Sequence, residues 1–143
     1  MSSPLRVHAG EPLVIDSSVA FKWFDGTEAG ADIARDLARR HARDDVALVA
    51  PAHLPLEVIN VLVSRQAGVG AIERAIEALA QVDLAIAPVD DALLAAAARI
   101  ADAERIALYD AAFIALAAQL DCELVTADRR QAATTSCRVR LIG

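Results

Sequence analysis

The stretch LVIDSSVAFKWF, residues 13–24, joins a short apolar run to a helical segment through a carboxylate. Its first three residues are aliphatic, as in a buried strand. Asp16 follows them and precedes two serines, which is a typical position for a helix N-cap. Three of the five aromatic residues of the chain also lie here, at positions 21, 23 and 24. The stretch therefore predicts a strand over 13–16 that carries an acid at its tip and turns at once into a helix.

The rest of the chain repeats this alternation of apolar runs and helical patterns. The expected strands are 13–16, 46–50, 84–89, 123–127 and, as an edge strand, 138–142. The expected helices are 17–24, 28–44, 55–67, 71–82, 90–103, 108–120 and a short one that begins near Asp128. Strands separated by helices form parallel βαβ units. The pattern predicts a three-layer α/β/α domain with a central, mainly parallel sheet of four or five strands.

Length and composition set the outer bounds of this fold. The 143 residues suit one domain over 13–143, with residues 1–12 as a short N-terminal tail. The tail lacks the apolar core of a signal peptide, and no apolar run reaches the length of a membrane span. Nothing indicates secretion, so we expect a cytoplasmic protein without membrane contact, in which Cys122 and Cys137 are reduced.

The charge of the chain limits how it binds nucleic acid. The formal net charge is −6 at pH 7, which argues against a protein that coats nucleic acid without specificity. A local site for nucleic acid remains possible, because thirteen arginines are present. Two of them, Arg129 and Arg130, follow directly after Asp128.

Four acids stand out because of where the predicted topology places them. Asp16 and Asp128 follow strands, whereas Glu57 and Asp110 open helices. Each alone is explained as a helix cap or a first-turn acid. In a parallel sheet, however, helix N-termini lie at the edge where the strands end. All four acids should therefore meet at the carboxyl edge of the sheet, where open α/β folds bind ligands.

The mutual repulsion of carboxylates in such a cluster must be offset. Two carboxylates ~5 Å apart repel by roughly 3 kcal/mol at an effective dielectric constant near 20. Either some of the acids are protonated or a cation lies among them. A ligand set made of oxygen atoms alone favours Mg²⁺ or Mn²⁺ over zinc. No role is assigned to the three histidines at positions 8, 41 and 53.

Four segments of the chain carry a family resemblance. VIDSSVAFKWF, LPLEVINVL, LYDAAFIALA and LVTADRR resemble, in order and spacing, the four motifs of the PIN domain. The resemblance runs from Val14 to the final RVRLI and is closest to VapC-type ribonuclease toxins of bacterial type II toxin–antitoxin pairs. It implies a metal-dependent endoribonuclease that forms a homodimer. It also implies an antitoxin that plugs the site, and a higher assembly with that antitoxin.

The resemblance also implies roles for single residues. Asp16 and Asp110 would be the main ligands of Mg²⁺ or Mn²⁺, and Glu57 and Asp128 would complete the acidic pocket. The matching supporting positions are Ser17, Asn60 and Thr126, although a plain polar position on a helix face explains Asn60 equally well. Many relatives carry a further acid just after the fourth motif, where this chain has Arg129, Arg130 and Gln131.

Two pairs of residues have alternative interpretations. Arg129 and Arg130 could hold RNA phosphates or be solvated arginines of a short helix. Trp23 and Phe24 could form an apolar groove for a partner helix, stack on RNA bases or pack on the core. The alternatives for the whole chain are a PIN-like nuclease in RNA processing outside a toxin system and a catalytically inert PIN-like binding module.

Overall fold

The computed structural model describes residues 8–143 and contains one sheet of five parallel strands. The strands are β1 (Glu11–Ile15), β2 (Val46–Pro51), β3 (Ala85–Ala87), β4 (Leu124–Thr126) and β5 (Val139–Leu141). Their order across the sheet is β3-β2-β1-β4-β5. The first strand is thus central, with β2 on one side and β4 on the other. The predicted α/β architecture with a parallel sheet is confirmed.

Seven helices connect and cover the strands in the described part of the chain. They are α1 (Ser17–Phe21), α2 (Ala31–Ala42), α3 (Leu54–Ser64), α4 (Val69–Val82), α5 (Asp91–Glu104), α6 (Leu108–Gln119) and α7 (Arg129–Ala132). Helix α6 packs on β1, β2 and β4 and is covered in turn by α5. Its residues 111–117 are all buried, because a helix between a sheet and another helix has no solvated face. The many alanines of α5 and α6 permit this close approach.

The structure corrects several predicted bounds. β1 begins at Glu11 rather than at residue 13, because Glu11 and Pro12 pair with Val46 and Ala47 of β2. Two residues of the predicted tail thus belong to the sheet, and residues 1–7 lie outside the described residues. Helix α1 ends at Phe21 rather than at residue 24. Helix α2 begins only at Ala31, after a left-handed glycine at position 30.

The sequence predicted that no segment is long and apolar enough to span a membrane. None of the helices within residues 8–143 combines the length and the hydropathy that crossing a bilayer requires.

Candidate active site

Four segments that are far apart in the chain bring the predicted acids to one edge of the sheet. Asp16 follows β1 and caps α1, and Asp128 follows β4 and caps α7. Glu57 and Asp110 lie in the first turns of α3 and α6. Electrostatic repulsion couples Asp128 to both Asp16 and Asp110, and couples Asp110 to Glu57. The four carboxylates therefore form one interacting set.

Asp16 is the most buried of these acids, with 5% of its surface exposed. Its Oδ1 accepts hydrogen bonds from the backbone N–H of Ser18 at 3.1 Å and of Val19 at 3.3 Å, which caps α1. The Ser18 hydroxyl donates to the same oxygen at 2.5 Å. Thr126 donates its hydroxyl to Oδ2. Burial raises the pKa of the Asp16 carboxyl, and these hydrogen bonds offset part of that effect.

Thr126 and Ser18 extend this network to the fourth acid. The Thr126 hydroxyl also accepts the backbone N–H of Asp128 at 3.0 Å. The Ser18 hydroxyl accepts the backbone N–H of Ala127 at 2.9 Å. The end of β1 and the loop after β4 are therefore tied together through two buried or half-buried hydroxyls. This network fixes the position of Asp16 relative to Asp128.

Glu57 is half-buried and has two polar neighbours. Ser17 donates its hydroxyl to Glu57 Oε1 at 3.2 Å. His53 Nε2 lies 3.8 Å from the same oxygen. Burial raises the pKa of Glu57 and repulsion from Asp110 adds to it, whereas His53 and Ser17 lower it in part. A half-buried carboxyl with a raised pKa is suited to accept a proton near neutral pH.

Asp110 and Asp128 lie side by side at this edge but differ in exposure. Burial raises the pKa of the Asp110 carboxyl, and repulsion from Asp128 raises it further. Gln131 is buried and donates its Nε2–H to the backbone carbonyl of Asp110 at 2.8 Å, which ties α7 to the start of α6. Asp128 is exposed and accepts the backbone N–H of Arg130 at 2.9 Å as the cap of α7.

Three residues at the site were not assigned from the sequence. Ser18 contacts Asp16 directly, and Gln131 supports Asp110. His53 packs its ring between α3 and α6, with its centroid 4.8 Å from that of Phe113. Its Nε2 bonds the carbonyl oxygen of Tyr109 at 3.0 Å, so that nitrogen carries the proton. The position of Ser18, two residues after a helix cap, could have predicted its contact with Asp16 from the sequence. The contacts of His53 depend on tertiary packing and could not.

The side chains of the remaining candidates are either exposed to solvent or partly buried against the core. Asn60, Arg129 and Arg130 are exposed, and none of their side chains makes a hydrogen bond within residues 8–143. Trp23 donates its Nε1–H to the carbonyl of Ala34 at 2.8 Å and is partly buried against the core, as is Phe24. Trp23 thus anchors α2, and its predicted role on a partner surface stays a prediction.

The donor set fits a hard divalent cation. All four acids offer oxygen atoms, and three of them have a raised pKa because burial and mutual repulsion disfavour their charged forms. A cation would relieve both effects. As placed, no three acidic, histidine or cysteine side chains of residues 8–143 converge on one metal position. This spacing is compatible with Mg²⁺, which commonly uses one or two carboxylates and keeps several waters or substrate phosphates.

The family model of the PIN domain matches residues 13–135 of the chain, which include all four acids. The chain belongs to the PIN domain family. The comparison of this PIN domain with curated proteins found no match.

Solved structures resemble this PIN domain over most of its length. The structure of VapBC2 from Rickettsia felis, bound to a DNA fragment from its promoter, matches with a TM-score of 0.73 and 9% identity, over 92% of this chain and 99% of that chain. VapC20 from Mycobacterium tuberculosis, described as a toxin that cleaves the sarcin-ricin loop, matches with a TM-score of 0.62 and 17% identity, over 88% and 98%. PAE2754 from Pyrobaculum aerophilum matches with a TM-score of 0.63 and 21% identity, over 91% of each chain. At these identities the likeness establishes the fold.

Proposed function

We propose that this PIN domain is a metal-dependent endoribonuclease and the toxin of a toxin–antitoxin pair. The observation that carries the proposal is the meeting of Asp16, Glu57, Asp110 and Asp128 at one sheet edge, with three of their pKa values raised. The names of the structural neighbours support the toxin role, since two of them are VapBC or VapC proteins.

The proposed roles at the site follow from burial and position. Asp16 and Asp110 would be the main ligands of Mg²⁺ or Mn²⁺, with Asp128 and Glu57 completing the set directly or through water. When bound, the ion would polarise the scissile phosphate and lower the pKa of a water molecule. Ser18 and Thr126 hold the Asp16 carboxylate in place, which leaves it little freedom to turn away.

Glu57 is the proposed general base. Its raised pKa and its half-buried position suit proton transfer from water. Glu57 takes one proton as the water oxygen attacks phosphorus in line with the 3′-oxygen. The bond from phosphorus to that 3′-oxygen breaks, and the oxygen takes a proton from solvent. The products carry a 5′-phosphate and a 3′-hydroxyl.

Removal of the proposed ligands provides the decisive test. Asp16→Asn and Asp110→Asn should each lower RNA cleavage in Mg²⁺ by about a hundredfold or more, because the site loses a negative ligand. Cleavage by the wild-type protein should cease in chelator and return with Mg²⁺ or Mn²⁺. Denaturing gels of total RNA measure both effects.

Asp102→Asn is the matched control, since it makes the same change at an exposed position of α5. Full activity in either site variant, or in chelator, would refute the site.

The toxin role has a separate test. Induced expression should arrest growth, and co-expression of a small neighbouring reading frame should restore it. Growth that is unaffected by an active nuclease would place the protein in RNA processing instead.

A further inference from the structure

An open groove of about 360 Å³ adjoins the acidic set. Ser17 and Asp128 contribute to its lining, and Phe21, Val61 and Arg65 line it as well. We call it the Arg65 groove. It is formed mainly by α1 and by the second half of α3, including the residue that ends this helix.

The planar guanidinium of Arg65 stacks on an aromatic ring in this groove and donates no hydrogen bond there. Its guanidinium carbon lies 4.6 Å from the centroid of the Phe21 ring, which is a cation–π contact. Its side chain is 56% exposed, and the nearest carboxylate oxygen, Asp25 Oδ2, is 3.8 Å away. That distance is too long for a hydrogen bond. The Phe21 ring and this loose ion pair with Asp25 therefore orient the guanidinium, but within residues 8–143 none of its N–H groups donates a hydrogen bond.

The other cation of the groove is paired more closely than Arg65 is. Lys22 is buried and pairs with Glu28 at 3.0 Å. The Lys22 ammonium is thus already hydrogen-bonded to a carboxylate. The planar guanidinium of Arg65 can instead donate two parallel N–H groups to the oxygens of a phosphate. Of the two cations that line the groove, Arg65 is the one equipped to bind an added anion.

The position of Arg65 along α3 relates it to the acidic set. Glu57, Val61 and Arg65 follow one another at intervals of four residues, so they lie along one side of the helix. Eight residues of helix span about 12 Å. The backbones of Glu57 and Arg65 are thus about 12 Å apart along the helix, so an RNA strand with one phosphate at Glu57 would present a flanking phosphate to Arg65.

We infer that the Arg65 groove is a subsite for single-stranded RNA, in which Arg65 binds a backbone phosphate that flanks the scissile one. The inference rests on the proposed ribonuclease activity. Proteins that bind single-stranded nucleic acid place cations along the path of its backbone, and Arg65 supplies such a cation here beside the carboxylates of Glu28 and Asp128. A contact of this kind positions the strand, so its loss affects binding more than the chemical step.

The test is the affinity for a short fluorescein-labelled single-stranded RNA, measured by anisotropy in Ca²⁺, where cleavage is not expected. Arg65→Ala should weaken binding about tenfold, because a charge-assisted pair is lost. It should also lower the slope of log affinity against log salt by about 0.7, as expected for one phosphate contact to a single strand. In cleavage assays with Mg²⁺, KM should rise and kcat should stay near the wild-type value.

Two further variants sharpen the comparison. Arg99→Ala removes the same charge from an exposed position of α5 and should leave affinity and salt slope unchanged. Arg65→Lys keeps the charge without the planar fork and should bind with intermediate affinity. Thermal melts check that each variant is folded, and Arg65→Lys takes the place of the alanine variant if the latter is destabilised.

The outcomes separate the two proposals. If the wild-type protein cleaves RNA and Arg65→Ala binds as Arg99→Ala does, the subsite is refuted and the nuclease stands. If the wild-type protein binds RNA through Arg65 without cleaving it in Mg²⁺, the subsite stands and the nuclease is refuted. If the wild-type protein neither binds nor cleaves RNA, both are refuted.

Discussion

At the scale of single residues, Asp16 serves two purposes with one side chain. Its Oδ1 caps α1 through backbone N–H groups, and its Oδ2 receives the Thr126 hydroxyl. A capping bond fixes a carboxylate as firmly as the helix itself is fixed. The helix cap thus explains the position of Asp16, and the proposed role of Asp16 as a metal ligand would use the same fixed position.

Thr126→Val tests how strongly the hydroxyl network supports the site. The variant keeps the shape of the fully buried side chain but leaves Asp16 Oδ2 and the backbone N–H of Asp128 without this partner. We expect a loss of about 1–3 kcal/mol in the free energy of unfolding. RNA cleavage should fall as well. Urea denaturation followed by circular dichroism measures the first effect.

The exposed Thr135 provides the control for this change. Thr135→Val should alter the free energy of unfolding by less than about 0.5 kcal/mol. Equal stability of the Thr126 and Thr135 variants would show that the network does not hold Asp16.

The residues of the site were predictable to different degrees. The four acids were visible in the sequence because strand ends and helix starts can be located from local patterns. Their neighbours were less visible. Ser17 was expected beside the site and bonds Glu57, whereas Ser18, the next residue, bonds Asp16. Which of two adjacent serines faces which acid depends on the turn of α1, and the sequence pattern does not specify that turn.

At the scale of elements, the imidazole ring of His53 contacts the starts of both α3 and α6. His53 precedes α3 directly, bonds the carbonyl of Tyr109 in the first turn of α6, and packs on Phe113. Glu57 and Asp110 follow on these two helices. Because both acids are carried on helices that His53 links, we expect His53 to act as a positioning residue.

His53→Ala should lower kcat by about ten- to a hundredfold with little change in KM, as for other residues that orient an active carboxylate. The acid limb of the pH–rate profile should also move to higher pH. His53 lowers the pKa of Glu57, so its removal leaves that pKa higher and the base becomes protonated at a higher pH.

His53→Gln separates position from charge in this prediction. The glutamine amide can donate to the Tyr109 carbonyl and should restore much of kcat. It carries no charge, so the shifted acid limb should remain. A profile of His53→Ala that coincides with the wild-type profile would exclude the positioning role.

The element bounds show where sequence reasoning reaches its limit. The strands and helices were located from apolar periodicity, but β1 starts two residues earlier than expected because Glu11 and Pro12 pair with β2. Neither residue favours a strand by itself, so long-range pairing decides the bound. Helix α1 likewise gives way to i→i+3 turns after Phe21, and Trp23 in these turns donates its Nε1–H to the carbonyl of Ala34 in α2. Contacts that join distant segments are the part that local patterns do not contain.

At the scale of the whole molecule, negative charge dominates, and part of it is concentrated at one edge of the sheet. The chain carries a formal charge of −6, and burial with mutual repulsion raises the pKa of three of the four acids there. A raised carboxyl pKa means that ionisation costs stability above the folded-state pKa, and that this cost disappears as the pH falls towards the unfolded-state value. A divalent cation should offset the same cost at neutral pH.

Mg²⁺ at tenfold its dissociation constant should therefore stabilise the protein by about 1.4 kcal/mol at neutral pH. For a chain of this length, that corresponds to a rise in Tm of about 3–6 °C. Removal of the metal with chelator should reverse the rise, and Asp16→Asn should abolish most of it. Differential scanning calorimetry measures the shift.

Sodium chloride at matched ionic strength is the control, because screening alone also reduces repulsion in an acidic protein. An equal rise in Tm with sodium chloride would mean that Mg²⁺ acts by screening and that no specific site is filled.

The central place of β1 has a consequence for the order of events on the ribosome. This strand leaves the exit tunnel before the other four strands, and its partner β2 is the next strand to follow. Its other neighbour, β4, is translated only after most of the chain, and Thr126 and Asp128 emerge with it. A nascent chain thus holds one side of its sheet incomplete until late in synthesis. The acidic set cannot be assembled before Asp128 has left the tunnel, so the proposed nuclease site would be incomplete for most of the time that the growing chain lies beside ribosomal RNA.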